Sequence, residues 1–421
     1  MQLPQRKFEK ISPFVSSLSV LSFLFALTMN VFGYTIFYFL ETNHIPIIYG
    51  GIGTTVGQIV LLFIVIPQGR LIDKGKSYTL MIAGALIYSV SIILFFVDTN
   101  FVLPMAALLA TSLIAIVLVT QNTFKSSLSA FIGKAVKSNV IGKHYSRIVM
   151  METAGGTVAM FAVAATILFS DIGMIYLIPG IILFTATILS LFFLFPEQRK
   201  HIRNEENKTH RPGFIESVRT FRDRKRFIAP LLFTKIFMSI GVYGVSYFFI
   251  ISGQRIGIEP IYSILLLGVG FAASVPFGIY SERYVDRKPD IGKSYVVAIS
   301  LLDVFLYLFL VIAFFMHIPY LFYLSMGFSI PGPLLVAGAM SYELKIIGKE
   351  HRGMFAAIQR TLVGITFIIL GIPFAFLFSV DFTLIWIFVL AGSVGSLVSA
   401  ILLPSRDFIE NNYMKNKPSD S

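Results

Sequence analysis

Pro67–Tyr78 reads PQGRLIDKGKSY, and its meaning comes from what flanks it. Ile47–Ile66 before it and Thr79–Val97 after it contain no charged residue. Apolar runs of about 18 residues or more are long enough to cross a bilayer as helices. The short knot of Arg70, Asp73, Lys74 and Lys76 between them therefore reads as a tight hairpin at the membrane surface. The same pattern, Pro-x-Gly-x-x-x-[Asp/Glu]-[Lys/Arg], returns as PFGIYSER at Pro276–Arg283, with GKSY again following at Gly292–Tyr295. A 421-residue chain that repeats its hairpin in its second half reads as two copies of one unit.

Hydrophobic residues make up 56% of the chain and charged residues 13%, against roughly 25% charged in soluble domains. Twelve apolar spans follow at 13–40, 47–68, 77–97, 101–123, 144–169, 172–195, 227–251, 260–280, 294–316, 319–342, 353–379 and 383–403. Backbone polar groups in lipid must bond within their own segment, so each span is expected to be a helix. The first has no small-residue cleavage site and is too long for a signal-peptide core, so it reads as retained. With no cysteine, disulfides, thiolate chemistry and Cys-ligated metals are excluded.

The net charge of +12 is a matter of topology. Of 34 Lys and Arg, all but Arg147 (three residues into span 5), Lys235, Arg255 and Arg360 lie before span 1, in the loops after even-numbered spans, or in the tail. By the positive-inside rule both termini are cytoplasmic in a plasma-membrane protein, and the charge is not a nucleic-acid footprint. The polar stretch Pro196–Arg226 divides the spans six and six. Within it Phe214, Val218 and Phe221 share one helical face, as in an amphipathic helix lying on an anionic leaflet. The expected organisation is a six-helix bundle over 1–195, a linker over 196–226, a second bundle over 227–404 and a polar tail over 405–421.

The repeat extends past the hairpin. NVFGYTIFYF in span 1 parallels GVYGVSYFFI in span 7, and IGKH before span 5 parallels IGKEH before span 11. Parallel six-span repeats related by an axis along the membrane normal are a transporter architecture. On these features the chain resembles the major facilitator superfamily of secondary transporters, over roughly residues 10–405. The motif of that family between spans 2 and 3, Gly-x-x-x-Asp-[Arg/Lys]-x-Gly-[Arg/Lys]-[Arg/Lys], is met by Gly69, Asp73, Lys74, Gly75 and Lys76. One residue is missing before Gly75, and Ser77 stands at the last basic position. A looser copy falls at Gly278, Glu282 and Arg283. The resemblance implies an all-α membrane protein, with twelve transmembrane helices in two pseudo-symmetric six-helix bundles working by alternating access. It also implies that Asp73 latches the start of span 11 near Gly353, and Glu282 the start of span 5; a helix N-terminus favours a carboxylate.

Polar residues within spans are costly and usually face a cavity or the bundle interior. Lys235, Ser239, Tyr243 and Tyr247 recur every four residues on span 7, and Asn30, Tyr34 and Tyr38 do so on span 1. In the family, spans 1, 4, 7 and 10 line the cavity. Asn30, Tyr34, Lys235, Ser239, Tyr243, Tyr247, Gln359 and Arg360 are therefore the expected solute-binding residues, with Thr111, Asn122 and Ser329 completing the lining. Tyr38, near a span end, fits an interfacial role equally well. Glu152 and Arg360 occupy near-equivalent positions of the two halves. They read as an interhelical ion pair, or as a proton carrier (Glu152) and an anion site (Arg360 with Lys235). Asp303 reads either as a partner for Lys235 or as part of the coupling. Small residues on spans 2, 5 and 8 let helix backbones approach closely, and the resemblance implies that span 2 packs on 11 and span 5 on 8.

No phosphate-binding loop, catalytic constellation or metal-ligand spacing appears, so the chain reads as a non-enzyme without cofactor. The expectation is a monomer in a lipid bilayer, moving a small organic solute, with anions among the solutes open to it and a proton as coupling ion. A uniporter, an exporter and a non-transporting sensor of the same fold are the alternatives. The Gly-Pro antiporter signature is absent from span 5, where Ala154-Gly155-Gly156 stands.

Overall fold

The structure is a computed structural model. It describes residues 13–72, 76–98, 101–135, 141–170, 172–202, 225–284, 292–332, 334–336, 338–339, 343 and 352–404. The described residues are helical and hold twelve helices long and apolar enough to cross a membrane. They are α1 (Pro13–Thr42), α2 (Ile47–Leu71), α3 (Ser77–Asp98), α4 (Leu103–Ala135), α5 (Ile141–Phe169) and α6 (Met174–Ile202) in the first half. The second half holds α7 (Lys225–Arg255), α8 (Pro260–Tyr284), α9 (Gly292–Met316), α11 (Arg352–Val380) and α12 (Phe382–Ile401), with α10 as the span Pro319–Val336. All twelve expected spans are present, several extending beyond the apolar run into the flanking polar residues.

α10 is the irregular one. It starts as α-helix over Pro319–Ser325 and tightens to a 3-10 turn over Met326–Ser329. Pro331 and Pro333 follow in the sequence, and neither has an N–H to donate to the helix ladder. A regular ladder cannot run through that sequence. α12, by contrast, begins cleanly because the Asp381 carboxylate accepts from the Thr383 amide at 2.9 Å.

The packing repeats between halves. α1 packs on α5 and α6, α2 on α4, and α3 on α4 and α6; correspondingly, α7 packs on α11 and α12, α8 on α10, and α9 on α10 and α12. Across the halves α2 packs on α11 and α5 on α8, which the repeat interchanges, while α1 packs on α7. Apolar side chains such as Phe63, Leu108, Phe169, Phe192 and Ile369 are exposed around the outside. In lipid these faces gain little from packing, so association rests on close fit and interhelical hydrogen bonds. Both are visible. A methyl added at Gly51 would stand 2.5 Å from the Gly371 carbonyl oxygen, so only glycine permits this α2–α11 approach. Thr35 and Tyr176 share a hydrogen bond of 3.0 Å between α1 and α6. In the equivalent place of the second half, Trp386 Nε1 donates to Ser252 Oγ at 2.9 Å between α12 and α7.

The start of α1 and the end of α12 lie on one side of the twelve-span bundle, here called the terminal face; the opposite side is the distal face.

Candidate functional site between the halves

On the distal side α1 and α7 meet through aromatic rings. Phe37 lies 5.1 Å from Tyr247 and 4.9 Å from Phe248, ring centre to ring centre. Tyr243, one turn closer to the middle, packs on Tyr247, Phe367 and Phe374. Its hydroxyl is 3.0 Å from Thr54 Oγ1 of α2. Thr54 Oγ1 already donates to the Gly51 carbonyl at 2.9 Å, so Tyr243 is the donor and Thr54 the acceptor. Above this plug, Arg255 Nη2 donates to Glu41 Oε1 at 2.7 Å, tying the end of α7 to the end of α1. The Arg255 guanidinium also sits 5.6 Å from the centre of the Phe378 ring of α11. The distal side is thus closed.

Beneath the plug, polar groups of both halves converge near mid-membrane. Asn30 lies midway along its span, Leu18–Thr42, and holds itself to its own helix through the Ala26 carbonyl at 2.7 Å. Gly156 of α5 faces it: an added methyl would stand 3.2 Å from Asn30 Nδ2 and 3.4 Å from the Phe271 ring of α8. Tyr34 meets Phe271 edge-on at 5.7 Å. From α9, Tyr307 reaches across α7 at Gly241, whose bare Cα lies against the Tyr307 hydroxyl. There Tyr307 comes within electrostatic range of Tyr34 and of Asp303, one turn away on its own helix. Ser329, in the 3-10 turn of α10, borders Gly270 of α8. An amide, three hydroxyls, a carboxylate and ring faces can serve both the polar and the apolar parts of a small organic solute.

The span 7 stripe divides between these regions. Tyr243 and Tyr247 are buried in the plug rather than facing open space. Ser239 is buried and donates to its own helix at the Ile236 carbonyl. Lys235 points the other way, into the second half, where its Nζ lies 3.0 Å from Glu343 Oε2. That pair borders a cavity of about 40 Å³ lined also by Leu231, Thr234, Met238, Val296 and Ile299. The partner of Lys235 is thus Glu343 and not Asp303, because Glu343 follows the α10 break on the side facing α7. Thr111, expected in the lining, instead donates to Ala107 and Tyr49 carbonyls and braces α4 against α2. Asn122 donates to the Leu118 carbonyl of its own helix.

The remaining charges are also placed. Arg360 of α11 donates to Ser126 of α4, a contact between the halves. Glu152 is half-buried on α5, one turn from Gly156 toward the terminal face. The ion pairs among the described residues are Lys235–Glu343 and Arg255–Glu41, so the Glu152–Arg360 pair is not formed in this state. Gln359 is half-buried beside Arg360. Asp73, Lys74 and Gly75, the linker 203–224 and the tail 405–421 lie outside the described residues, as do the side chains of Glu282, Arg283 and the start of α11. Gly69 and Gly278 end α2 and α8 at the terminal face, where Lys76 is exposed. Among the described residues, no three of His, Asp and Glu gather closely enough to hold a metal ion.

Three elements were missed in the sequence. Glu343 stands one residue beyond the expected end of span 10, so it was read as part of a loop. Arg255 stood out only as the lone cation of the distal loops, and its pairing with Glu41 needs the α1–α7 contact. Tyr307 gave no signal beyond lying one turn from Asp303, which is the clue that could have found it.

The profile of the family described as Major Facilitator Superfamily matches residues 18–369. No curated protein sequence matches the chain. Solved structures are similar throughout their length. The nucleoside transporter NupG superposes with a TM-score of 0.68 at 15% identity, covering 94% of this chain and 100% of that one. The D-xylose-proton symporter gives 0.66 at 12%, covering 93% and 98%. The xylose transporter XylE from E. coli, in a partially occluded inward-open conformation, gives 0.65 at 12%, covering 97% and 100%.

Proposed function

Since the chain belongs to the Major Facilitator Superfamily, whose fold serves membrane transport by alternating access, we propose that it is a secondary active transporter of a small organic solute. The solute rests among Asn30, Tyr34, Tyr307, Asp303 and Ser329. One observation carries this reading: polar groups of both halves meet at mid-membrane, directly beneath a distal side that α1 and α7 have sealed. A site built from two halves comes apart and re-forms on the other side when the halves rock, which is what moving a bound solute requires.

In this conformation the solute comes and goes on the terminal side, which the lysine and arginine distribution assigns to the cytoplasm. A proton is the coupling ion, carried by Glu152. This carboxylate is half-buried and, among the described residues, in no ion pair, and it stands one turn from the Gly156 contact between the halves. The D-xylose-proton symporter, similar in fold, is a precedent for that coupling ion. The decisive experiment is uptake into proteoliposomes across a solute panel, with and without an imposed pH gradient. Accumulation driven by the gradient in the wild type, and only equilibrating exchange in Glu152→Gln, is the expected result. Accumulation indifferent to the gradient would remove proton coupling and leave a uniporter; no flux of any solute would remove transport.

A further inference from the structure

Among the described residues, Asp303 is a carboxylate without a counter-charge near the middle of its span. It lies ten positions into the span Lys293–Met316, about 15 Å deep at roughly 1.5 Å per residue. Its direction follows from its helix. Leu301, Phe305, Leu308 and Phe315 are exposed and mark the lipid side of α9. At roughly 100° per residue Asp303 is about 200° from Leu301, on the opposite side. Val296, Tyr307, Leu310 and Phe314 share that inward side and are buried. Asp303 alone among them keeps some accessible surface, on the side of α9 turned toward the bundle.

Neighbouring charges do not answer it. Among the described residues Asp303 makes no ion pair or hydrogen bond, Lys235 is engaged with Glu343, and Arg360 with Ser126. The other carboxylate of this region, Glu152, has the same sign. An ionised group at this depth is costly unless something compensates it. Beside it on the next turn is Tyr307, whose hydroxyl lies against Gly241 of α7; Tyr34 is within electrostatic range of Tyr307, and Phe271 is edge-on to Tyr34. A carboxylate with several ring faces is the chemistry that recognises an ammonium group.

We propose that Asp303, Tyr307, Tyr34 and Phe271 form a binding site for the charged head of an organic cation, an amine or quaternary ammonium. The inference rests on reading the mid-membrane locus as the solute site, and it replaces the anionic solute that Lys235 and Arg360 suggested in the sequence. Both of those cations are already occupied within the protein, whereas Asp303 is open.

The test is calorimetric titration of the purified full chain in lipid nanodiscs. The probes are tetramethylammonium, benzyltrimethylammonium and tetraphenylphosphonium, with benzyl alcohol and benzoate as neutral and anionic controls. Permanent cations carry no proton, so their binding is separable from coupling. At least one is expected to bind, more tightly than either control. Asp303→Asn should weaken it by roughly tenfold or more, and Asp303→Glu should retain it within a few-fold. Asp303→Glu also shows that the position tolerates change without unfolding. Binding of benzoate in preference, no binding of any of the three cations, or equal affinity in a monodisperse Asp303→Asn protein would each overturn the proposal. Counterflow of the bound cation in proteoliposomes is scored separately. Binding that depends on Asp303 without counterflow would defeat the transport reading and leave the cation site standing.

Discussion

Tyr243→Phe removes one hydroxyl from the distal plug and leaves its ring contacts in place. The lost hydrogen bond, 3.0 Å to Thr54, lies between residues 0% and 1% exposed. A net contribution of about 0.5–1.5 kcal/mol is expected for such a bond. The closed-to-open ratio of the distal side should then fall roughly 2- to 13-fold, since the bond exists only when α2 and α7 are together. The Glu41–Arg255 pair looks stronger on distance alone, at 2.7 Å. Yet its side chains are 30% and 52% exposed, and exposed pairs contribute about 0–1 kcal/mol. Glu41→Gln should therefore change the ratio less than about fivefold. The chain has no cysteine, so Tyr34→Cys, just beneath the plug, is a single reporter. Its rate of alkylation by an impermeant maleimide from the distal side follows the open fraction even when that fraction is small. A several-fold rise in Tyr243→Phe exceeding that in Glu41→Gln is expected. An unchanged rate in Tyr243→Phe, with a large rise in Glu41→Gln, would refute the argument that burial ranks these two contacts.

Three further substitutions probe the frame. Gly371→Leu forces a side chain into the Gly51 carbonyl and Thr55 across the α2–α11 contact. It should destabilise the protein by about 1–3 kcal/mol and raise distal labelling of Tyr34→Cys, whereas Gly364→Ala, where an added methyl meets only ordinary contacts at 3.4 Å and beyond, should do neither. Lys235→Met or Glu343→Met alone strands its partly buried partner and should cost up to about 3–5 kcal/mol. The Lys235→Met/Glu343→Met double variant should cost less than the sum of its single changes in thermal unfolding. Trp386→Phe removes the hydrogen bond to Ser252 and should lower stability by about 1 kcal/mol, read by circular dichroism because the chain has no other tryptophan.

The twelve spans were legible because lipid demands long uncharged runs; the α2–α11 and α5–α8 pairing came from the family resemblance, with small residues showing only that backbones there could approach closely. The site was only half legible. A residue spacing of four places side chains on one helical face without saying which neighbour that face meets. Asn30 and Tyr34 of span 1 therefore reached the central locus, while Tyr243 and Tyr247, on the same spacing in span 7, became the plug. Charge pairing was the least legible part. By sequence reasoning the carboxylate in reach of Lys235 was Asp303. The one it meets, Glu343, follows a proline-broken helix whose path no periodicity reveals. Gly241 is similar: it bears no chemistry, yet it lets Tyr307 cross α7.

The central claim is that the distal and terminal sides open in alternation around the mid-membrane locus. Spin-label distance measurements on two cysteine pairs test it most directly: Thr42→Cys with Glu259→Cys across the distal side, and Lys76→Cys with Tyr280→Cys across the terminal side, all four positions being exposed. Each pair is measured in the wild-type background and with Tyr243→Phe. A longer distal distance gained together with a shorter terminal one is the predicted result. Distances that stay fixed in every condition, or that lengthen together, would contradict alternating access.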